Sequence, residues 1–105
     1  MNMEERKIIC IEGELKDSEI LMHPGEQLVV GREPRFANLV FRDLTISRKH
    51  CVVELNEQGV YYVTDYSECG LIAEEDIMFE KGTRTLCHKG TVLMIGKAGT
   101  KIMLG

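Results

Sequence analysis

The chain has 105 residues, a mass of 11.9 kDa and a formal net charge of −4, a length that suits one domain. Its hydrophobic and charged fractions, 44% and 29%, are those of a globular protein and not of a disordered one. No apolar run exceeds four residues, which argues against direct membrane insertion, and the acidic balance argues against nucleic acid as a partner.

The predicted organisation begins with a charged N-terminal tail at residues 1–6, followed by a single domain at residues 7–105. The first apolar run, residues 8–11, is too short for the hydrophobic region of a secretory signal. We therefore expect a cytoplasmic protein. The sequence is also compatible with one domain of a larger multidomain protein.

Beyond the tail, short runs of β-branched and aromatic residues alternate with turn residues, which predicts an all-β sandwich or barrel. In the first strand, residues 7–15, we expect Ile9, Ile11 and Leu15 to face one side and Cys10 the other. The other predicted strands are 18–23, 26–32, 39–41, 49–55, 59–66, 70–73, 83–88, 92–97 and 100–104, with 74–80 either a strand pair or a loop. The predicted core residues are Ile9, Ile11, Val30, Leu39, Phe41, Val53, Tyr62, Leu93 and Ile95.

The charges are unevenly distributed along the chain. Residues 31–50 carry five basic residues against two acidic ones, whereas the rest of the chain is strongly acidic. A basic patch on an acidic body can capture a small anion while repelling bulk polyanions. The alternative is a solvated loop that happens to be basic. The five cations are Arg32, Arg35, Arg42, Arg48 and Lys49.

The four cysteines are far apart in the sequence, and no two of them form a Cys-x-x-Cys pair. Structural zinc sites usually need such close pairs. We therefore expect reduced thiols, with no disulfide and no metal site.

Four short stretches carry the strongest signal: Gly31-Arg32, Ser47-x-x-His50, Ser67-x-Cys69-Gly70-Leu71 and residues 90–96. In this order and spacing they resemble the forkhead-associated (FHA) domain family. The resemblance covers nearly the whole domain. It implies an FHA-like β-sandwich of about eleven strands with binding loops at one end, which recognises phosphothreonine in an extended peptide without any cofactor.

The resemblance also implies roles for individual residues. It places Arg32 and Ser47 on the phosphate, with Arg48 beside them, and gives His50 a supporting role. The chemistry is suitable, because a phosphate monoester has about −1.5 to −2 charges and arginine offers a planar fork of donors. Serine adds a short hydroxyl. Further supporting positions are Gly31, Ser67 and Gly70.

Three residues depart from the family pattern. Cys69 stands where the family has an asparagine that holds the peptide backbone, and Leu71 stands where it has a threonine. Glu68 stands at a position that can approach the phosphate, where a carboxylate would repel it. Two interpretations therefore stay open. One is a phosphothreonine-dependent binding module in signalling or assembly. The other is a degenerate module that acts as a phospho-independent scaffold, for example in a secretion apparatus.

Ser47, His50 and Asp65 also contain the residue types of a hydrolase triad. The chain has no Gly-x-Ser-x-Gly nucleophile elbow, and Ser47 and His50 belong to a stretch that the family uses for binding. We therefore expect no enzymatic activity and no catalytic residue.

Overall fold

The computed structural model describes residues 6–75 and 77–105, and within these ranges it contains ten β-strands in two five-stranded sheets. The strands are Arg6–Glu12 (β1), Glu19–Met22 (β2), Gln27–Gly31 (β3), Leu39–Val40 (β4), Cys51–Leu55 (β5), Tyr61–Asp65 (β6), Ile72–Ala73 (β7), Thr85–Cys87 (β8), Val92–Ile95 (β9) and Thr100–Leu104 (β10). No helix in these ranges is long and apolar enough to span a bilayer.

The two sheets have the strand orders β2-β1-β10-β9-β7 and β4-β3-β5-β6-β8. All strand pairs are antiparallel except β3 with β4. This architecture confirms the predicted all-β sandwich. Of the predicted tail, residues 1–5 lie outside the described residues, and Arg6 opens β1. Asp76, in the ambiguous stretch 74–80, also lies outside the described residues. Met78 of that stretch forms an isolated antiparallel bridge with Ile72.

The predicted orientation of the first strand was wrong. Ile8 and Cys10 are fully buried, whereas Ile9 and Ile11 are only half-buried on the opposite face. Ile8 and Cys10 pair with Leu104 and Ile102 of β10, and both partners belong to the core. Because residues 8–11 are apolar on both faces, alternation alone could not fix the orientation. The strand also ends at Glu12, so Leu15 lies in the following turn and packs at the edge of the core.

The predicted core position at Tyr62 was wrong by one residue. Tyr61 is buried, and its hydroxyl donates a hydrogen bond to the Gly105 carbonyl at 2.7 Å. Tyr62 lies on the outer face, where the Arg84 guanidinium stacks 3.6 Å from the centre of its ring. Aromatic residues on both faces made the two positions equivalent in the sequence.

Loops from both sheets meet at one end of the sandwich. The Arg32 N–H, just after β3, donates to the Ser47 carbonyl at 3.0 Å. The Glu68 N–H, after β6, donates to the Ser47 Oγ at 3.0 Å. The Lys97 N–H, after β9, donates to the Thr45 Oγ1 at 2.8 Å. The segment between β4 and β5 therefore lies at the centre of this loop cluster.

Candidate functional site

An open depression of about 580 Å³ lies at the loop end of the sandwich. Its lining includes all five residues that the sequence predicted for the phosphopeptide, although they come from three different loops. Arg32 and Ser47 are half-buried, whereas the other three are exposed. These residues are Arg32, Ser47, Arg48, Glu68 and Cys69.

Arg32 is held in place by its own backbone and by part of its guanidinium. Its N–H donates to the Ser47 carbonyl, and its Nε donates to the Ile46 carbonyl at 3.0 Å. Neither Nη group bonds to any residue that the structure describes. The guanidinium is thus fixed at one edge, while its two terminal donors are available to an anion.

Gly31 allows this arrangement because two backbones approach closely there. A Cβ on Gly31 would lie 2.1 Å from the Arg48 carbonyl oxygen, so no other residue fits without a backbone shift. Gly70 has a different reason to be glycine, since its φ is 87° and its surroundings are open. A close backbone approach therefore explains Gly31, and a positive φ explains Gly70.

Ser47 and His50 interact through the backbone. The Ser47 N–H donates to the His50 Nδ1 at 3.0 Å. The fully buried His50 in turn donates its N–H to the Val30 carbonyl at 2.7 Å and accepts from the Tyr66 N–H at 2.9 Å. Burial lowers the pKa of His50, and the nearby Asp65 and Asp43 only partly oppose this effect. Because Nδ1 accepts the Ser47 N–H, the neutral form of the imidazole carries its proton on Nε2.

This geometry differs from that of a catalytic triad. Such a triad needs a hydrogen bond between the serine Oγ and the imidazole, but the Ser47 Oγ accepts from the Glu68 N–H. The third candidate, Asp65, is bonded to Ser67 and Leu71. His50 lies beneath the loop as a positioning residue for the Ser47 backbone.

Asp65 organises the loop after β6, a role that the sequence reasoning missed. One carboxylate oxygen accepts from the Ser67 N–H at 2.7 Å and from the Ser67 Oγ at 2.6 Å, and the other accepts from the Leu71 N–H at 3.0 Å. Asp65 and Ser67 are both buried. The Asp-x-Ser spacing at a strand end is a turn signal that could have identified this role. The Asp65 carboxylate thus braces this loop, although Leu71 stands where the family has a threonine.

The cysteines are free thiols, three of them buried and one exposed in the depression. The Cys69 Sγ lies 3.6 Å from the Gly70 carbonyl oxygen. Burial raises the pKa of the Cys87 thiol to about 11 and raises those of Cys10 and Cys51 as well. In the described ranges no three potential metal-ligating side chains cluster together.

The depression is strongly cationic. Arg32, Arg48, Lys49 and Lys97 line it together with one carboxylate, that of Glu68. The Lys49 ammonium lies 4.3 Å from the centre of the Tyr66 ring, which also lines the depression. The basic residues predicted from residues 31–50 contribute unequally, because Arg35 pairs with Glu33 at 3.3 Å and neither Arg35 nor Arg42 lines the depression.

Lys97 and Tyr66 were not predicted from the sequence. Lys97 follows Gly96, the last residue of the fourth motif, and that glycine was the available signal. Gly96 has a φ of 73°, and a Cβ there would lie 2.7 Å from side-chain atoms of Thr45 and Ile46. The close packing of this turn on the central segment brings Lys97 to the depression.

Comparisons with known proteins identify the family and the fold of this chain. The family model of the FHA domain matches residues 28–96. The FHA domain of CT664 from Chlamydia trachomatis superposes with a TM-score of 0.82 at 20% identity, covering 96% of each chain. The FHA domain of an Arabidopsis thaliana hypothetical protein has a TM-score of 0.83 at 22% identity, covering 96% of this chain and 84% of that one.

A third similar structure contains a ligand. The N-terminal FHA domain of S. cerevisiae Rad53p, in complex with a phosphothreonine peptide, has a TM-score of 0.77 at 17% identity and covers 96% of this chain and 92% of that one. At these identities the structures establish the fold. No curated protein matches the chain significantly.

Proposed function

This chain belongs to the FHA domain family, and from that premise we propose that it is a non-catalytic module that binds phosphothreonine in an extended peptide or protein segment. The bound neighbour from yeast supports this class of ligand. The observation that carries the proposal is the convergence of Arg32 and Ser47 on one cationic depression.

The available donors suit a phosphate monoester. The two Nη groups of Arg32 offer a planar pair of donors that stays charged at any physiological pH. The Ser47 hydroxyl already accepts from the Glu68 N–H, so its own proton remains to donate. Arg48 and Lys49 add positive potential at the rim. Together these groups would complement three acceptor oxygens carrying nearly two negative charges.

A second candidate function is favoured by Glu68 and Cys69. Both line the depression, where the carboxylate would repel a phosphate and the thiol offers only weak hydrogen bonding to a peptide backbone. These residues are compatible with a scaffold that binds its partner regardless of phosphorylation. The net positive charge of the depression and the intact Arg32–Ser47 pair favour the phosphopeptide.

The deciding experiment is a titration of a degenerate phosphothreonine peptide library and its unphosphorylated counterpart by fluorescence anisotropy. We expect only the phosphorylated peptides to bind, with an affinity that falls as salt rises, and we expect Arg32→Ala to abolish binding. Arg35→Ala is the matched control, because Arg35 lies outside the depression and pairs with Glu33. Equal binding of both libraries, unchanged by Arg32→Ala, would support the scaffold instead.

A further inference from the structure

The depression is bounded by cations from both sheets of the sandwich. Arg32 follows β3 in one sheet, and Lys97 lies between β9 and β10 in the other. Between them lies the segment 44–47, which bonds to Arg32 through the Ile46 carbonyl and to the Lys97 backbone through the Thr45 hydroxyl. Arg32 and Lys97 therefore contact neighbouring residues of this segment from loops that follow strands of different sheets.

The cations of the depression exceed what one phosphate can neutralise. Four cationic side chains face one carboxylate there, whereas a phosphate monoester supplies at most about two negative charges. No carboxylate in the described part of the chain lies within 4.0 Å of these four side chains. The surplus is an unneutralised positive charge on the surface that would contact the peptide.

Lys97 lies between β9 and β10, in a loop that carries none of the predicted phosphate ligands. Its backbone is fixed, because the Thr45 Oγ1 accepts its N–H and also donates to the Asp43 Oδ1 at 2.8 Å. The second oxygen of Asp43 is buried without a hydrogen-bond partner among the described residues, and it forms no ion pair with the Lys97 ammonium. The Lys97 side chain is exposed, so its ammonium remains available to a ligand that crosses the depression.

We propose that Lys97 is a specificity-determining residue that binds a second anionic group of the peptide, a carboxylate or a second phosphate, separate from the phosphothreonine. This role rests on the proposed phosphopeptide binding. It gives the partner a chemical class: a phosphothreonine segment with an acidic or phosphorylated residue on one side. An exposed charge pair contributes up to about 1 kcal/mol, which corresponds to about threefold to fivefold in affinity.

The test uses alanine-based phosphothreonine peptides, each with one aspartate, glutamine, lysine or phosphoserine at one flanking position in turn. For the wild type we expect aspartate or phosphoserine at one position to bind about threefold to fivefold more tightly than glutamine there. Lys97→Gln should remove this preference, and Lys97→Glu should transfer it to the lysine peptide. Lys16→Gln, an equal charge change at an exposed residue outside the depression, should leave the preference intact.

The outcomes separate the two proposals. If no phosphopeptide binds, both fail. If acidic and neutral phosphopeptides bind equally, only the role of Lys97 fails. A preference that survives Lys97→Gln, or a loss of affinity by the same factor for every phosphopeptide, also overturns this role, because Lys97 would then contact no second anion. Whether aspartate or phosphoserine gives the larger gain identifies the source of the anion.

Discussion

The Ser47 hydroxyl accepts a hydrogen bond from the Glu68 backbone N–H at 3.0 Å, across two loops that are far apart in sequence. A hydroxyl has one donor and two acceptor positions, so this bond directs the Ser47 proton away from the Glu68 backbone. The same bond places Glu68 in the depression. The serine that we propose binds the phosphate is therefore hydrogen-bonded to the residue whose carboxylate would repel that phosphate.

Arg32→Lys should weaken phosphopeptide binding by about tenfold to a hundredfold, the range of a lost charged hydrogen bond. Arginine bonds to the Ile46 carbonyl through Nε and keeps two Nη donors, whereas a lysine has one nitrogen that would have to serve both partners. Fluorescence anisotropy with a phosphothreonine peptide measures the effect, and Arg35→Lys is the control. Wild-type affinity in Arg32→Lys would show that the planar fork is not used.

Gly31→Ala should lower the free energy of unfolding by about 1–3 kcal/mol and weaken binding as well. The new Cβ would lie 2.1 Å from the Arg48 carbonyl oxygen, so the end of β3, which precedes Arg32, must move away from the segment that carries Ser47. Urea denaturation and anisotropy measure the two effects.

Gly90→Ala separates backbone strain from loss of the site. Gly90 has a φ of 96° with open surroundings and does not line the depression. Its substitution should reduce stability but leave binding unchanged. If Gly31→Ala also lowers stability with no loss of affinity, the close approach at Gly31 does not position the ligands.

The strand pattern could be predicted from the sequence because turn residues separate the strands. The inward face of β1 could not, since Ile8 and Ile9 are equally apolar and only pairing with β10 buries Ile8. The same limit applies to Tyr61 and Tyr62. Cross-strand pairing decides these orientations, and one strand read alone does not contain that information.

The same distinction applies to the candidate site, where some functional residues could be predicted from the sequence and others could not. Arg32 and Ser47 lie in short motifs that can be recognised locally. Lys97 reaches the depression because its turn packs on Thr45, and Asp65 acts through a buried carboxylate that accepts from the Ser67 and Leu71 N–H groups of the loop that follows it. The Lys97 contact joins two loops that are distant in sequence and could not be predicted, whereas the Asp65 contacts are local and the Asp-x-Ser spacing was a signal for them.

Acidification should destabilise the domain through His50. Its folded pKa lies below its usual 6.5 because burial disfavours the imidazolium. Below about pH 6.5 the unfolded chain binds a proton that the folded chain does not, so stability falls as the pH drops toward the folded pKa and is unaffected above 6.5. Urea denaturation at pH 7.5, 6.5 and 5.5 should show a decrease of at most about 1.4 kcal/mol per pH unit from this residue.

The variant His50→Asn isolates this effect, because an amide oxygen can still accept from the Ser47 N–H but does not titrate. It should be less stable than the wild type at pH 7.5 yet lose less stability on acidification. The Lys89 carbonyl and Glu75 raise the pKa of the exposed His88, so protonated His88 stabilises the folded state. His88→Gln should therefore lose more stability than the wild type on acidification. If the free energy of unfolding depends on pH equally in the wild type and His50→Asn, His50 is not the source of the acid destabilisation.

Glu68→Gln should strengthen phosphopeptide binding by a few-fold. A like charge about 5 Å from the phosphate costs up to roughly 1 kcal/mol in a water-like dielectric, and the substitution keeps the backbone N–H that bonds to Ser47. Glu80→Gln makes the same charge change at an exposed residue outside the depression. The gain in affinity of Glu68→Gln should shrink at high salt. A comparable gain in Glu80→Gln would show that net charge causes it and that the position of Glu68 does not.

Cys69→Asn should also strengthen phosphopeptide binding, by about twofold to tenfold, the range of one net hydrogen bond. Cys69 is exposed in the depression, and the recorded contact of its thiol is a weak one with the Gly70 carbonyl. An asparagine side chain supplies both an acceptor and donors to an extended peptide backbone. Cys69→Ser is the matched control, because it removes the thiol without adding an amide. If the serine and asparagine variants bind a phosphothreonine peptide equally well, the amide makes no contact and this loop serves a purpose other than holding the peptide backbone.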